Sequence, residues 1–148
     1  MDSYKDQKSF SVQDILKVLP HRYPFILIDK VEIIELGRNL VATKNVTINE
    51  PFFQGHFPNQ PVFPGVLTIE MMAQAGSFLI LSQVENPLSK NMFFSAVEKA
   101  RFTKPITPGD KIEINVILER KKLGLCKFKG ECFVDKKIVA KANFSANI

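Results

Sequence analysis

A chain of 148 residues with 45% hydrophobic and 24% charged residues can bury one real core, so a single domain over residues 1–148 is expected. A net charge of +5 and a pI of about 9.3 suit an acidic partner, but the charge is diffuse and no nucleic-acid motif accompanies it. Two cysteines, Cys126 and Cys132, and two histidines at no ligand spacing exclude a zinc site, and with neither a P-loop nor a GxGxxG run no cofactor is expected.

Met1–Lys8 is polar and lacks the apolar stretch of a signal peptide, so a cytoplasmic protein is expected, with residues 1–10 as a flexible tail. Ser11-Val12-Gln13-Asp14 has the form of a capping box, and Val12, Ile15, Leu16 and Leu19 follow helical spacing until Pro20 stops it. His21-Arg22-Tyr23-Pro24 reads as a turn in which His21 holds the chain by hydrogen bonds. Phe25–Glu35 is rich in Ile, Val and Phe and predicts a strand, Gly37-Arg38-Asn39 a hairpin turn, and Leu40–Ile48 the returning strand.

Asn49–Gln83 is the organising stretch. Its first half is a loop stiffened by Pro51, Pro58, Pro61 and Pro64 and filled by Phe52, Phe53, Phe57 and Phe63. Its second half, from Val66 to Leu81 with Pro64 placed to start it, predicts a helix apolar on nearly every face and therefore buried on all sides. At 1.5 Å per residue such a rod spans about 24 Å, short for a membrane span, and Glu70, Gln74 and Ser77 interrupt it. Those three share one stripe of the rod. His56, between Gly55 and Phe57, stands on the stiff loop before it. A histidine on a rigid loop and a carboxyl on a buried helix form a candidate base and acid.

Glu85–Lys90 is turn chemistry, and Met92–Phe102 predicts a strand with irregular patterning. After the connection Thr103–Asp110, Lys111–Lys121 alternates, with Ile112, Ile114, Val116 and Leu118 on one face. Leu125–Val134 and Ile138–Phe144 are the last two strands. In an extended strand Cys126 and Cys132 lie about 20 Å apart, too far to bridge. Few helices and hairpin-linked strands imply a largely antiparallel α+β domain. Its all-apolar helix needs cover from a curved sheet or from a second copy of the domain.

Leu19-Pro20-His21-Arg22-Tyr23-Pro24-Phe25, Asn49–Pro58, Pro61-Val62-Phe63-Pro64-Gly65-Val66-Leu67, Glu70 and Met72-Ala73-Gln74-Ala75 carry a resemblance to a known family, continued by Ala100-Arg101-Phe102 and Thr107-Pro108-Gly109-Asp110. From Leu19 to the C-terminus the chain resembles the (3R)-3-hydroxyacyl-[acyl-carrier-protein] dehydratases of bacterial type II fatty acid synthesis, the FabZ type. The resemblance implies a hot-dog fold, an antiparallel sheet wrapped around one long helix. It implies a homodimer as the minimal active unit, assembled into a homohexamer (a trimer of dimers), with the base from one subunit and the acid from the other. Acyl carrier protein is the implied partner, and neither a nucleic acid nor a membrane is expected. Asn59-Gln60 departs from the family, which more usually has a Gly-containing pair there.

The implied reaction is loss of water from a 3-hydroxyacyl thioester to give the trans-2-enoyl thioester. His56 is the candidate base. Glu70, kept protonated by desolvation on its apolar helix, is the candidate acid, acting directly or through a water placed by Gln74. Gly65 at the helix start is assigned to the thioester carbonyl, where a backbone donor is typically worth about 3–4 kcal/mol. Phe52, Phe53 and Phe63 are candidates to line an acyl tunnel, and Lys99, Arg101 and Lys104, with Arg120, Lys121 and Lys122, to contact the carrier protein. Two other functions suit the same letters: a hot-dog acyl thioesterase and a catalytically silent acyl-binding module.

Overall fold

The computed structural model describes residues 6–148, so residues 1–5 of the expected tail lie outside it. Seven strands, β1 (Ser9–Phe10), β2 (Lys30–Glu35), β3 (Asn39–Asn45), β4 (Phe93–Phe102), β5 (Lys111–Lys122), β6 (Leu125–Val134) and β7 (Lys137–Asn147), form one sheet in the order β1-β2-β3-β5-β6-β7-β4. Every pairing is antiparallel. Two α-helices accompany it, α1 (Val12–Ile15) and α2 (Gly65–Leu81). The chain leaves β3, runs through α2 and enters the sheet again at its far edge as β4. That crossover places the long helix against β3, β5, β6 and β7.

The period-two patterns explain why the sheet can hold such a helix. Ile112, Ile114 and Val116 of β5, Cys126, Phe128 and Cys132 of β6, and Ala140, Ala142 and Phe144 of β7 are all buried on one face. They meet Met71, Met72, Ala75, Phe78 and Leu79 of α2, each at most 1% exposed. Burying one such large side chain is worth about 1.5–3 kcal/mol. Gly130 lets helix and sheet approach closely, since a Cβ there would lie 2.6 Å from Met72 Sδ. Both cysteines are free and face inward on β6, and burial pushes the Cys132 thiol up to about 12.

Three sequence expectations change. Ser9 and Phe10, read as the end of the tail, pair with Glu32 and Val31 of β2, and Phe10 is buried against the Phe78 ring at 5.0 Å. The capping box at Ser11 and Asp14 is present, but α1 stops at Ile15; Lys17 and Val18 then bond back three residues, to Asp14 and Ile15, which tightens the chain. The strand expected over Phe25–Glu35 begins only at Lys30. Phe25 and Leu27 satisfy their backbone on a side chain instead: Gln74 Nε2 donates to the Phe25 carbonyl at 2.7 Å and Gln74 Oε1 accepts from the Leu27 N–H at 2.8 Å.

Candidate active site

The His56 loop is built from its own backbone. A 3₁₀ turn over Pro51–Gln54 sets Phe53 into the core, and the His56 N–H donates to the Phe52 carbonyl at 3.1 Å. The Val62 N–H donates to the His56 carbonyl at 3.0 Å, and Phe57 and Gln60 exchange two backbone bonds of 3.0 Å. Asn59-Gln60 therefore closes a tight turn, and neither residue needs a positive φ. The loop is tied to the sheet by an ion pair between Lys44 of β3, 6% exposed, and Glu50, whose other oxygen accepts from the Thr47 N–H at 3.2 Å.

These bonds aim the imidazole. His56 Nδ1 lies 2.7 Å from the Val62 carbonyl. A carbonyl only accepts, so Nδ1 carries the proton and the neutral ring leaves Nε2 bare. The Phe57 ring stacks on the imidazole at 4.1 Å. His56 borders a cleft of about 380 Å³ with Phe63, Gly65, Thr68, Phe102 and Lys104 among its walls.

Gly65 opens α2, and Pro64, expected as the first residue of the helix, is its N-cap instead. The Leu67 and Thr68 N–H groups bond back to the Pro64 carbonyl at 3.0 and 3.1 Å, so the donors left over at the helix start are those of Gly65 and Val66. A Cβ at this position would stand 3.1 Å from the Phe102 ring, a tight contact that glycine avoids. A free N–H, the positive end of the helix and a bare imidazole nitrogen thus border one cleft.

Glu70 has other neighbours. Gln74 Nε2 donates to its Oε1 at 3.1 Å, and His21 Nε2 lies 3.5 Å from the same oxygen. Burial pushes its carboxyl above the ordinary range, and the Gln74 bond offsets part of that. Both N–H groups of Gln74 are committed, to Phe25 and Glu70, while its Oε1 keeps one lone pair beyond the Leu27 bond. Glu70 does not border the His56 cleft. At about 100° per residue it lies some 200° around the helix from Thr68, which does.

The remaining predicted residues divide. Phe63 borders the cleft, whereas Phe53 and the partly buried Phe52 pack into the core behind it, with ring centroids 4.8 Å apart. Lys104 stands at the cleft. Lys99 and Arg101 border a separate groove of about 390 Å³, together with Lys129 and Lys141. Arg101 and Lys141 are partners across β4 and β7, and like charges directly opposite are unfavourable without an anion to share. Sequence reasoning missed Thr68 and Phe102 at the cleft, and it took His21 for the brace of its turn. That brace is Arg22, whose guanidinium donates to the carbonyls of Leu16, Leu19 and His21 at 2.8, 2.8 and 2.6 Å.

A single long helix under a seven-stranded antiparallel sheet, with a histidine cleft at the helix start, defines an α+β protein of the hot-dog class. Residues 19–143 match the FabA-like domain, and the chain belongs to that family. It is 45% identical over 148 residues to the 3-hydroxyacyl-[acyl-carrier-protein] dehydratase FabZ of Gluconobacter oxydans (strain 621H), covering 99% of this chain and 88% of that one. It is 50% identical over 135 residues to the protein of the same name from Pseudoalteromonas translucida (strain TAC 125), covering 90% of each. Among solved structures, the dehydratase heterocomplex ApeI:P from Xenorhabdus doucetiae matches with a TM-score of 0.74 at 19% identity, over 90% of this chain and 89% of that one. A putative thioesterase from Ralstonia eutropha JMP134 matches with 0.59 at 18% identity, over 80% and 83%. Those two likenesses speak for the fold alone.

Proposed function

We propose that this chain is a 3-hydroxyacyl-[acyl-carrier-protein] dehydratase of type II fatty acid biosynthesis. The observation that carries the proposal is the His56 ring: its Nδ1 is held by the Val62 carbonyl, so Nε2 is the nitrogen left for the cleft that Gly65 borders. In this reaction His56 Nε2 takes the C2 proton, the C2–C3 double bond forms, and the C3–O bond breaks. Glu70 gives its proton to the departing hydroxyl, which leaves as water. The Gly65 N–H receives the negative charge that builds on the thioester carbonyl. Gln74 holds Glu70 directly, and its spare Oε1 lone pair is the place for a water in the proton path.

Within one chain Glu70 lies around α2 from the cleft that His56 borders, so the proposed catalyst takes Glu70 from a second copy. The whole of β4 supports such a copy. All ten of its residues are exposed, Phe93, Phe94, Val97 and Phe102 among them, although the strand is paired on one edge with β7. A long unpaired edge of this kind is suited to pair with another strand. A homodimer joined there, and a hexamer of three such dimers, complete the proposed assembly. Acyl carrier protein is the proposed partner, approaching Lys104 at the cleft and Lys99 and Arg101 beside it; Phe63 is the tunnel wall nearest His56. A cytoplasmic location accompanies this function, and no helix of the described residues is long and apolar enough to cross a membrane.

One cuvette separates this activity from thioester hydrolysis on the same fold. With a 3-hydroxyacyl thioester, the enoyl absorbance should rise while free thiol stays flat. Thiol release with no change in the enoyl band refutes the dehydratase and favours the hydrolase; neither signal leaves a silent acyl binder.

A further inference from the structure

His21 belongs to the turn after α1 and has no part in the reaction as written above. Its placement is unusual for a residue that merely fills space. Nδ1 is buried with no hydrogen-bond partner among the described residues, and Nε2 is 3.5 Å from Glu70 Oε1. An orphaned buried nitrogen is a cost that packing alone would avoid, since an apolar side chain would fill the same space without it.

Two nitrogens converge on one carboxyl oxygen. The orientation of the Gln74 amide is settled by its neighbours, because one end faces the Phe25 carbonyl and the other the Leu27 N–H. Its nitrogen therefore donates to Glu70 Oε1, which marks that oxygen as the acceptor of the carboxyl group. The tautomer of His21 that agrees with an accepting Oε1 carries its proton on Nε2. Nδ1 is then a bare acceptor, not a stranded donor.

We propose that His21 is a positioning residue for the acid: its Nε2–H and the Gln74 amide together occupy Glu70 Oε1, so that the proton to be transferred resides on Oε2. The proposal rests on the assignment of Glu70 as the acid. It explains how a carboxyl with two equivalent oxygens presents its proton at one of them, as near-attack geometry requires.

A neutral imidazole is what this role needs, because a cation beside Glu70 would favour the carboxylate and remove the proton. Burial, and secondarily the Arg22 guanidinium, push His21 below the ordinary imidazole range. Among the described residues, His21 is the titratable side chain recorded against Glu70; α2 adds only the uncharged Gln74, and Arg22 stands beside His21 with its guanidinium bound to three carbonyls. In the proposed dimer, His56 of the second copy completes the set.

The test compares two replacements in the full-length protein. His21→Gln keeps a donor near the Nε2 position but cannot titrate, whereas His21→Leu keeps apolar bulk without a donor. Leu should lower kcat about tenfold with KM little changed, the size of one neutral hydrogen bond lost at the transition state, while Gln should restore it to within about threefold. Equal damage by both, or an undamaged Leu variant, overturns the proposal. A second measurement uses the unmutated protein, with the glutamate carboxyls labelled with ¹³C and the Glu70 signal assigned by its loss in Glu70→Gln. As pH falls that signal should carry an inflection at the His21 midpoint in addition to its own, and its absence overturns the proposal even if the Leu variant does not fold. If Glu70→Gln keeps full activity, the assignment of the acid has failed; if it is inactive while His21→Leu turns over normally, only the role of His21 has failed.

Discussion

His56 and Glu70 owe their proposed chemistry to different surroundings. The imidazole is aimed by one backbone carbonyl at 2.7 Å, and the carboxyl holds its proton more tightly than usual, chiefly because burial disfavours the anion. His56→Ala and Glu70→Gln should each lower kcat by about 10²–10⁴-fold with an unchanged circular dichroism spectrum, as expected for loss of a general base or acid. Retained turnover in both variants would refute the roles. Glu70 also makes a stability prediction. The folded protein holds this proton to higher pH than the unfolded chain, so as pH rises past 4.5 its burial subtracts stability. Glu70→Gln removes that penalty. The variant should unfold at higher urea than the wild type at pH 8 and at nearly the same urea near pH 4.5; a lower midpoint at pH 8 contradicts the assignment of a desolvated acid.

At the scale of elements, the proposed site is held between a loop and a sheet. The loop that carries His56 is not anchored by its phenylalanines alone. Lys44, inside β3, meets Glu50 at the head of the loop, and Glu50 keeps only 14% side-chain exposure. Removing one member of such a pair strands the other charge. Glu50→Leu should therefore cost on the order of 3 kcal/mol by urea titration, and Lys44→Met with Glu50→Leu should recover part of it. If the double variant is no more stable than the single one, the pair does not tether the loop. At the other end of the site α2 begins at Gly65, where the Phe102 ring of β4 would crowd a Cβ at 3.1 Å. The strand that carries the exposed edge thus also shapes the cleft.

At the scale of the molecule, one chain holds the two parts of the proposed site apart. His56 with Gly65 borders the cleft, while Glu70 with Gln74 and His21 lies around the helix from it. The proposed dimer brings the halves of different chains together, and mixing two dead variants tests that directly. In a heterodimer of His56→Ala and Glu70→Gln, one of the two sites receives both intact residues. Subunits exchanged at random should recover about a quarter of wild-type activity, since half of the dimers are mixed and each has one good site. No recovery, with exchange shown by a mass tag, would mean that base and acid come from the same chain.

Much of this protein was legible from its residues one by one. The buried helix follows from a run with apolar residues on nearly every face, the strand β5 from its alternation, and the histidine and the acid from their being the polar exceptions in apolar surroundings. Such signals are local, since they depend on side-chain period and on what a lone polar group costs when buried. What tertiary structure decided depends on contacts between residues far apart in the chain. Gln74 takes over the backbone of Phe25 and Leu27, nearly fifty residues away, and so shortens a strand that looks longer in sequence. The Phe102 ring crowds position 65, and the His21 ring ends beside Glu70. No periodicity records a partner forty residues distant; only the packed sheet and helix bring these groups within bonding distance.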